Sequence, residues 1–334
     1  MRTTNRTAHA LLLALALGTA GCLDPAEPGN LVPKTVTEDP SLPRVQVNGT
    51  VLHAETFGNP ANPVVIALHG GPGNDYRGLL PLRALANDGY HVVFWDQRGS
   101  GLSQRHDASA YGWDSVLEDL RQIVDHHAPD AGHPVVFIGM SWGAMYATWF
   151  INHYGSHGGR IRGAVLSEPG AFTKAQLDAY MKRLTSVNFL DARFNDLTWI
   201  GQFMSGGDQA RADYMFTIEG LTNWPAVHCD DANNPEPRWR SGAVAAKAIQ
   251  DLATEGFDWT TNLKSFTPKV LFLRSELNEA NRLQDQQELA AAYADAEILT
   301  IPGTGHCLIW EKPTEYLQQV RTYFRDIGFA GGQP

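Results

Sequence analysis

Six short, almost uninterrupted apolar runs recur along this chain: Val64 to Leu68, His91 to Trp95, Val135 to Ile138, Gly163 to Leu166, Val270 to Leu273 and Ile298 to Ile301. A strand with one wet face alternates polar and apolar residues, whereas a run without alternation suits a strand covered on both faces. Helical segments separate several of the runs, so the pattern predicts an α/β chain with a mostly parallel sheet and helices on both faces. Ahead of these runs, Arg44 to Phe57 alternates as strands do and is broken at Asn48-Gly49, a hairpin signal. The chain has 334 residues, 43% of them hydrophobic, which is enough for a large core.

The strand rhythm stops between Ala171 and Ser265, where helical stretches (Lys174 to Ser186, Ala243 to Glu255) alternate with polar loops carrying Trp199, Trp224, Trp239 and Trp259. This is the expected place of a helical lid, residues 171–265, inserted after the sixth core strand into a core of residues 44–170 and 266–334. The N-terminus departs from the rest of the chain. Arg2 and Arg6 precede an uncharged Leu/Ala-rich run, Ala8 to Ala20, which is too short for a permanent membrane helix and reads as an export signal over residues 1–21. The following Gly21-Cys22 resembles a bacterial lipobox with Cys22 lipidated, although Gly18-Thr19-Ala20 also suits an ordinary signal peptidase. Residues 22–43, rich in Pro, Glu, Asp, Thr and Asn, are expected to form a flexible tether. The expected localisation is exported, either lipid-anchored or periplasmic and secreted. Cys229 and Cys307 are then free to pair in an oxidising compartment, or to remain two small buried residues. With 19% charged residues and a formal net charge of −10, the chain has no basic face for nucleic acid, and its membrane association is expected only through the lipid.

Three motifs carry chemistry. Gly139-Met140-Ser141-Trp142-Gly143 lies between an apolar run and the helix-compatible Ala144 to Tyr154, which is the context of a G-x-S-x-G turn that raises a serine hydroxyl at a strand-to-helix corner. His69-Gly70-Gly71-Pro72-Gly73 follows the Val64 to Leu68 strand with glycines that leave backbone N–H groups available to a developing oxyanion. Gly71, and Trp142 after the serine, are the candidate donors. Gly303-Thr304-Gly305-His306 follows the last strand and makes His306 the candidate general base. No carboxylate or imidazole stands at ligand spacing around His69, so neither a metal nor a cofactor is expected.

His69-Gly-Gly-Pro-Gly73, Asp96-Gln-Arg-Gly-Ser-Gly101 and Gly-Met-Ser-Trp-Gly in this order resemble the prolyl aminopeptidases (proline iminopeptidases) of the α/β-hydrolase superfamily. The resemblance covers residues 45 to 170, weakens through the lid and returns at 268 to 310. It implies the α/β-hydrolase fold and an exported serine hydrolase. Such an enzyme releases an N-terminal proline or small residue from a small peptide through an acyl-enzyme on Ser141. One position departs from the family: Ser275-Glu276-Leu277-Asn278-Glu279 places Asn278 where the family carries the acid that orients the histidine. Glu276, two residues earlier and on the same side of an extended segment, ranks first as a substitute, Asn278 itself second and Glu168, at the end of the sixth strand, third. By the same resemblance Glu279 is assigned to the substrate's ammonium group. Glu219 in the lid is either a second ammonium anchor or a solvated surface charge, and Asp96 and Arg98 are expected to brace loops. Two alternatives stand beside the aminopeptidase: an esterase, lactonase or amidase acting on a substrate without a free amine, and a binding protein that has lost efficient catalysis. An epoxide hydrolase would need a carboxylate where this chain has Ser141.

Overall fold

The computed structural model describes residues 32–184, 209–219 and 239–333. The strands are β1 (Arg44–Val47), β2 (Thr50–Phe57), β3 (Val64–Leu68), β4 (His91–Trp95), β5 (Val135–Met140), β6 (Ile161–Ser167), β7 (Val270–Ser275) and β8 (Ala296–Ile301). They form one sheet in the order β1-β2-β4-β3-β5-β6-β7-β8, antiparallel from β1 to β4 and parallel from there on. All six apolar runs are strands. The β1–β2 turn is made by Asn48 and Gly49, both at positive φ (44° and 69°), the conformation a two-residue hairpin needs.

The helices are α1 (Trp113–His127), α2 (Trp142–Tyr154), α3 (Lys174–Leu184), α4 (Gln209–Glu219), α5 (Ala243–Glu255), α6 (Leu283–Ala290), α7 (Leu308–Glu311) and α8 (Pro313–Asp326), with 3-10 turns over Tyr76–Asp88. Alternate strand residues feed two cores. Val64, Ile66, Leu68, Val135 and Phe137 face α1 and α2, whereas Val65, Ala67, Val136 and Ile138 face Tyr76–Asp88 and α8. Both sheet faces are thus covered, which is why the runs lack polar alternation. Among the described residues no helix is long and apolar enough to cross a membrane.

Helices α3, α4 and α5 lie in the chain between β6 and β7, yet β6 and β7 pair directly, with Ala164 beside Val270 and Ser167 beside Leu273. The sheet therefore closes across the insertion without a gap. Of the tryptophans placed in that segment, Trp259 stacks on Trp149 at 5.3 Å and belongs to the main core, and Trp239 lies under the Arg77 guanidinium. Trp199 and Trp224 lie outside the described residues.

The expected tether to residue 43 needs correction. From Val32 onward the chain is packed: Val32 and Val36 are buried, Val36 N–H donates to Leu102 O, and Arg240 donates to Pro33 O and to the Glu38 carboxylate. The segment is polar in composition, but its two valines point inward and an arginine from the insertion satisfies its polar groups.

Candidate active site

The site lies at the C-terminal ends of the parallel strands, where loops converge on the edge of an open sheet. Ser141 ends β5 and opens α2 with φ 55° and ψ −119°, a backbone conformation that costs a non-glycine residue on the order of 1–3 kcal/mol. Its N–H is held by Ser167 O at 2.8 Å, so the corner is tied to the end of β6. The flanking glycines are required by close approach: a Cβ on Gly139 would lie 2.4 Å from Gly143 O, and one on Gly143 would lie 1.9 Å from Leu68 O. The glycine loop after β3 runs directly past the serine, since a Cβ on Gly70 would sit 3.3 Å from Ser141 Cβ and 3.9 Å from its Oγ. Gly71 follows in that loop at φ 120°, and the Trp142 N–H, at the first turn of α2, has no carbonyl partner within the helix. The Trp142 side chain points into the core, stacked on Tyr146 at 6.0 Å.

His306 stands in the loop after β8, and that loop is pinned on several sides. Gly303 N–H donates to Glu276 at 2.7 Å, Gly305 N–H donates to Glu311 at 2.7 Å, and Thr304 O accepts from Leu277 N–H at 2.9 Å. Cys307 is disulfide-bonded. Its proposed partner Cys229, like Cys22, lies outside the described residues. The polar neighbours of the His306 ring are on the Nδ1 edge, Glu168 Oε2 at 3.4 Å and Asn278 Nδ2 at 3.3 Å; because the Asn278 amide nitrogen only donates, an Nδ1–H can bond Glu168 alone, and the Nε2 edge makes no hydrogen bond to a described residue.

The ranking of acids is corrected by these contacts. Glu276, placed first, is exposed and braces Gly303, so its carboxylate is turned to the backbone of the histidine loop and away from the ring. Glu168, placed third, is fully buried at the end of β6, with φ 54°, beside the ring. Its Oε1 accepts from Ser275 N–H (2.6 Å) and Ser275 Oγ (2.9 Å), and its Oε2 accepts from Asn278 Nδ2. Both oxygens of this buried carboxylate are thus met by hydrogen-bond donors. Asn278 is therefore at the histidine as expected, but its amide donates to Glu168 while its Oδ1 accepts from Ala280 N–H at 3.0 Å. An Asp at 278 would have placed two carboxylates together in this buried space.

Glu279 lies on the exposed side of the same turn, and Glu219 ends α4 with its side chain outside what is described. Asp96 and Arg98 brace loops as expected. Asp96 accepts from Tyr76 and Leu102 N–H and pairs with His53, and Arg98 is buried against Asp119. Both ring nitrogens of His69 are engaged, by Gln97 N–H and by Gly70 O. Among the described residues no cluster of three or more His, Cys, Asp or Glu side chains could hold a metal ion.

Two residues were given no role from sequence. Asp75, just beyond the glycine loop, accepts from Trp239 N–H (2.6 Å) and Arg240 N–H (3.3 Å), fastening the loop to the segment that enters α5. Burial, and next the negative charge of Asp96, push its carboxyl up to about 6. Gln97 joins the glycine loop to Trp142. Its position inside the Asp96-to-Gly101 motif was the only signal.

The model of the alpha/beta hydrolase family matches residues 65–319. This chain belongs to that family. It is 40% identical over 278 residues to the proline iminopeptidase of Heyndrickxia coagulans, covering 79% of this chain and 91% of that protein. It is 35% identical over 308 residues to epoxide hydrolase A of Mycobacterium tuberculosis, covering 81% and 93%. In fold it is similar to a thermophilic esterase from Thermogutta terrifontis, with a TM-score of 0.63 at 19% identity over 85% of this chain and 99% of that one. The α/β-hydrolase fold and the resemblance to prolyl aminopeptidases are both borne out, and the protein is a hydrolase.

Proposed function

We propose that the protein is an exported serine hydrolase that works through an acyl-enzyme and releases an N-terminal proline or small residue from peptides. The observation that carries this reading is the strained Ser141 corner after β5, at the same C-terminal edge of the sheet as the loop after β8 that holds an imidazole whose Nδ1 faces a buried carboxylate. With the Nδ1 proton directed to Glu168, the His306 Nε2 lone pair is left to take the proton of Ser141 Oγ. Ser141 Oγ then attacks the scissile carbonyl, and the oxyanion is received by the Gly71 and Trp142 N–H groups. His306 returns the proton to the leaving amine, and water, activated by the same base, hydrolyses the ester to free Ser141.

Glu168 is the acid of this triad, and Asn278 holds Glu168 in place. The 40% identical proline iminopeptidase supports this substrate class, and in the proposal Glu279 anchors the free ammonium group. An epoxide hydrolase activity is disfavoured despite the second relative, because a serine hydroxyl at the elbow cannot act as the carboxylate nucleophile of that chemistry. The leader over residues 1–21 and Cys22 support export, ending in a lipid anchor at Cys22 or in release after ordinary cleavage.

A fluorophosphonate probe, followed by peptide mapping, should label Ser141 in the full mature chain. Proline arylamides should then be hydrolysed in preference to p-nitrophenyl esters, with Glu279→Gln losing the arylamide activity and keeping any esterase activity. Labelling with esterase activity alone would move the substrate to one without a free amine. A folded protein that takes no label would leave a binding protein in this fold.

A further inference from the structure

The three ends of β4, β3 and β5, adjacent in the sheet, are laced together by one side chain that takes no part in the chemistry above. Gln97 is buried, at 6% exposure, immediately after the Asp96 turn. Its side-chain Nε2 donates to His69 O at 3.0 Å and its Oε1 accepts from Trp142 Nε1–H at 2.9 Å. The orientation of the amide is forced, since a carbonyl oxygen only accepts and an indole N–H only donates. The backbone N–H of Gln97 adds a third bond, to His69 Nε2 at 3.0 Å, so that nitrogen carries a lone pair and the ring is neutral with its proton on Nδ1, toward Gly70 O.

The two segments linked in this way are the two that would supply oxyanion donors. One is the glycine loop that begins at His69, and the other is the first residue of α2. Backbone packing of Gly143 on Leu68 O and of Gly70 beside Ser141 Cβ brings the two segments close, and Gln97 is the side chain that hydrogen-bonds to both. An oxyanion site depends on where its donors stand before the charge develops, and a displacement of about 1 Å can cost about 100-fold in rate.

We propose that Gln97 is the positioning residue of the oxyanion site, a clasp that sets the Gly71 N–H against the Trp142 N–H. This inference rests on the serine-hydrolase reading of Ser141.

Three variants test it in the full mature chain: Gln97→Met, which keeps length and removes both hydrogen bonds; Gln97→Glu, which keeps the acceptor for Trp142 and loses the donor to His69 O; and Trp142→Phe, which cuts the clasp from the other end while leaving the backbone donor. In each, kcat should fall about 10- to 100-fold with KM near the wild-type value, because the interaction matters only once the oxyanion forms. A boronic acid that forms a tetrahedral adduct with the serine should lose affinity by the same factor, while a ground-state product analogue keeps its own. Gln97→Met combined with Trp142→Phe should be no slower than the slower single variant, since both cut one linkage. Wild-type kcat in the folded variants, a rise in KM with kcat unchanged, or equal loss of boronate and product-analogue affinity would overturn the clasp. Should Gln97→Met fail to fold, Trp142→Phe alone decides. Failure of the underlying reading is separately visible, because wild-type Ser141 would then take no fluorophosphonate.

Discussion

The carboxylate that meets His306 comes from Glu168 at the end of β6 rather than from the turn after β7, and the reason is local. In that turn Asn278 is buried and amide-bearing, so its space is filled by a donor, and the negative charge sits one strand over with Ser275 and Asn278 donating to it. Glu276 and Asn278 do share the parity of an extended segment, but β7 ends at Ser275 and the chain turns, which sends Glu276 to Gly303 N–H. Glu168→Gln keeps the volume and removes the charge that offsets an imidazolium, so kcat should drop by about 10³–10⁴-fold, whereas Glu276→Gln should stay within an order of magnitude of wild type. Steady-state kinetics on the proline arylamide compare the two, and the reverse ranking would return the acid's role to Glu276.

At the scale of elements, helix α1 ends in His126 and His127 against the start of β4, where His91 Nε2 and His127 Nδ1 are 3.3 Å apart. Burial first, then the neighbouring His126 and His91, press the His127 imidazole down to about 3, and burial also lowers His91. Because the folded value lies below the ordinary 6.5, the unfolded chain takes up a proton that the native state refuses. Stability therefore falls as pH is lowered from about 6.5 toward 3, by at most about 1.4 kcal/mol per pH unit for each such group. His127→Asn keeps a polar group near Nδ1 without a titrating ring, so urea unfolding between pH 7 and pH 5 should show a shallower loss than wild type. Parallel curves for the two proteins would show that His127 does not charge on unfolding. The hairpin was readable from its Asn48-Gly49 turn, the central strands from apolar runs without polar alternation, and α2 from its place after the serine corner. The polar stretch from Val32 to Pro43 was not, because what orders it is Arg240, far along the chain.

Across the whole molecule, the insertion is fastened to the core by a buried charge node. Asp213 of α4 accepts from Arg105 Nε (2.8 Å) and Arg240 Nε (2.7 Å), and its other oxygen accepts from Ala243 N–H at the start of α5. Asp213→Ala would leave the buried Arg240 and the largely buried Arg105 guanidinium groups without their shared anion, and should lower stability by about 3–5 kcal/mol. Thermal unfolding monitored by circular dichroism checks this, and an unchanged Tm would mean that the node is not what holds α4. What the amino-acid order determined unaided is everything set by neighbours within a few positions: the doubly covered strands, the Asn48-Gly49 turn, the glycine-flanked serine corner and the glycine loop before it. Only the tertiary structure decided which groups meet across long separations: Glu168 with His306, Gln97 with His69 and Trp142, and Asp213 with its arginines. Strand order and side-chain packing create those encounters, and no local pattern encodes a distance between residues that lie tens of positions or more apart in the chain.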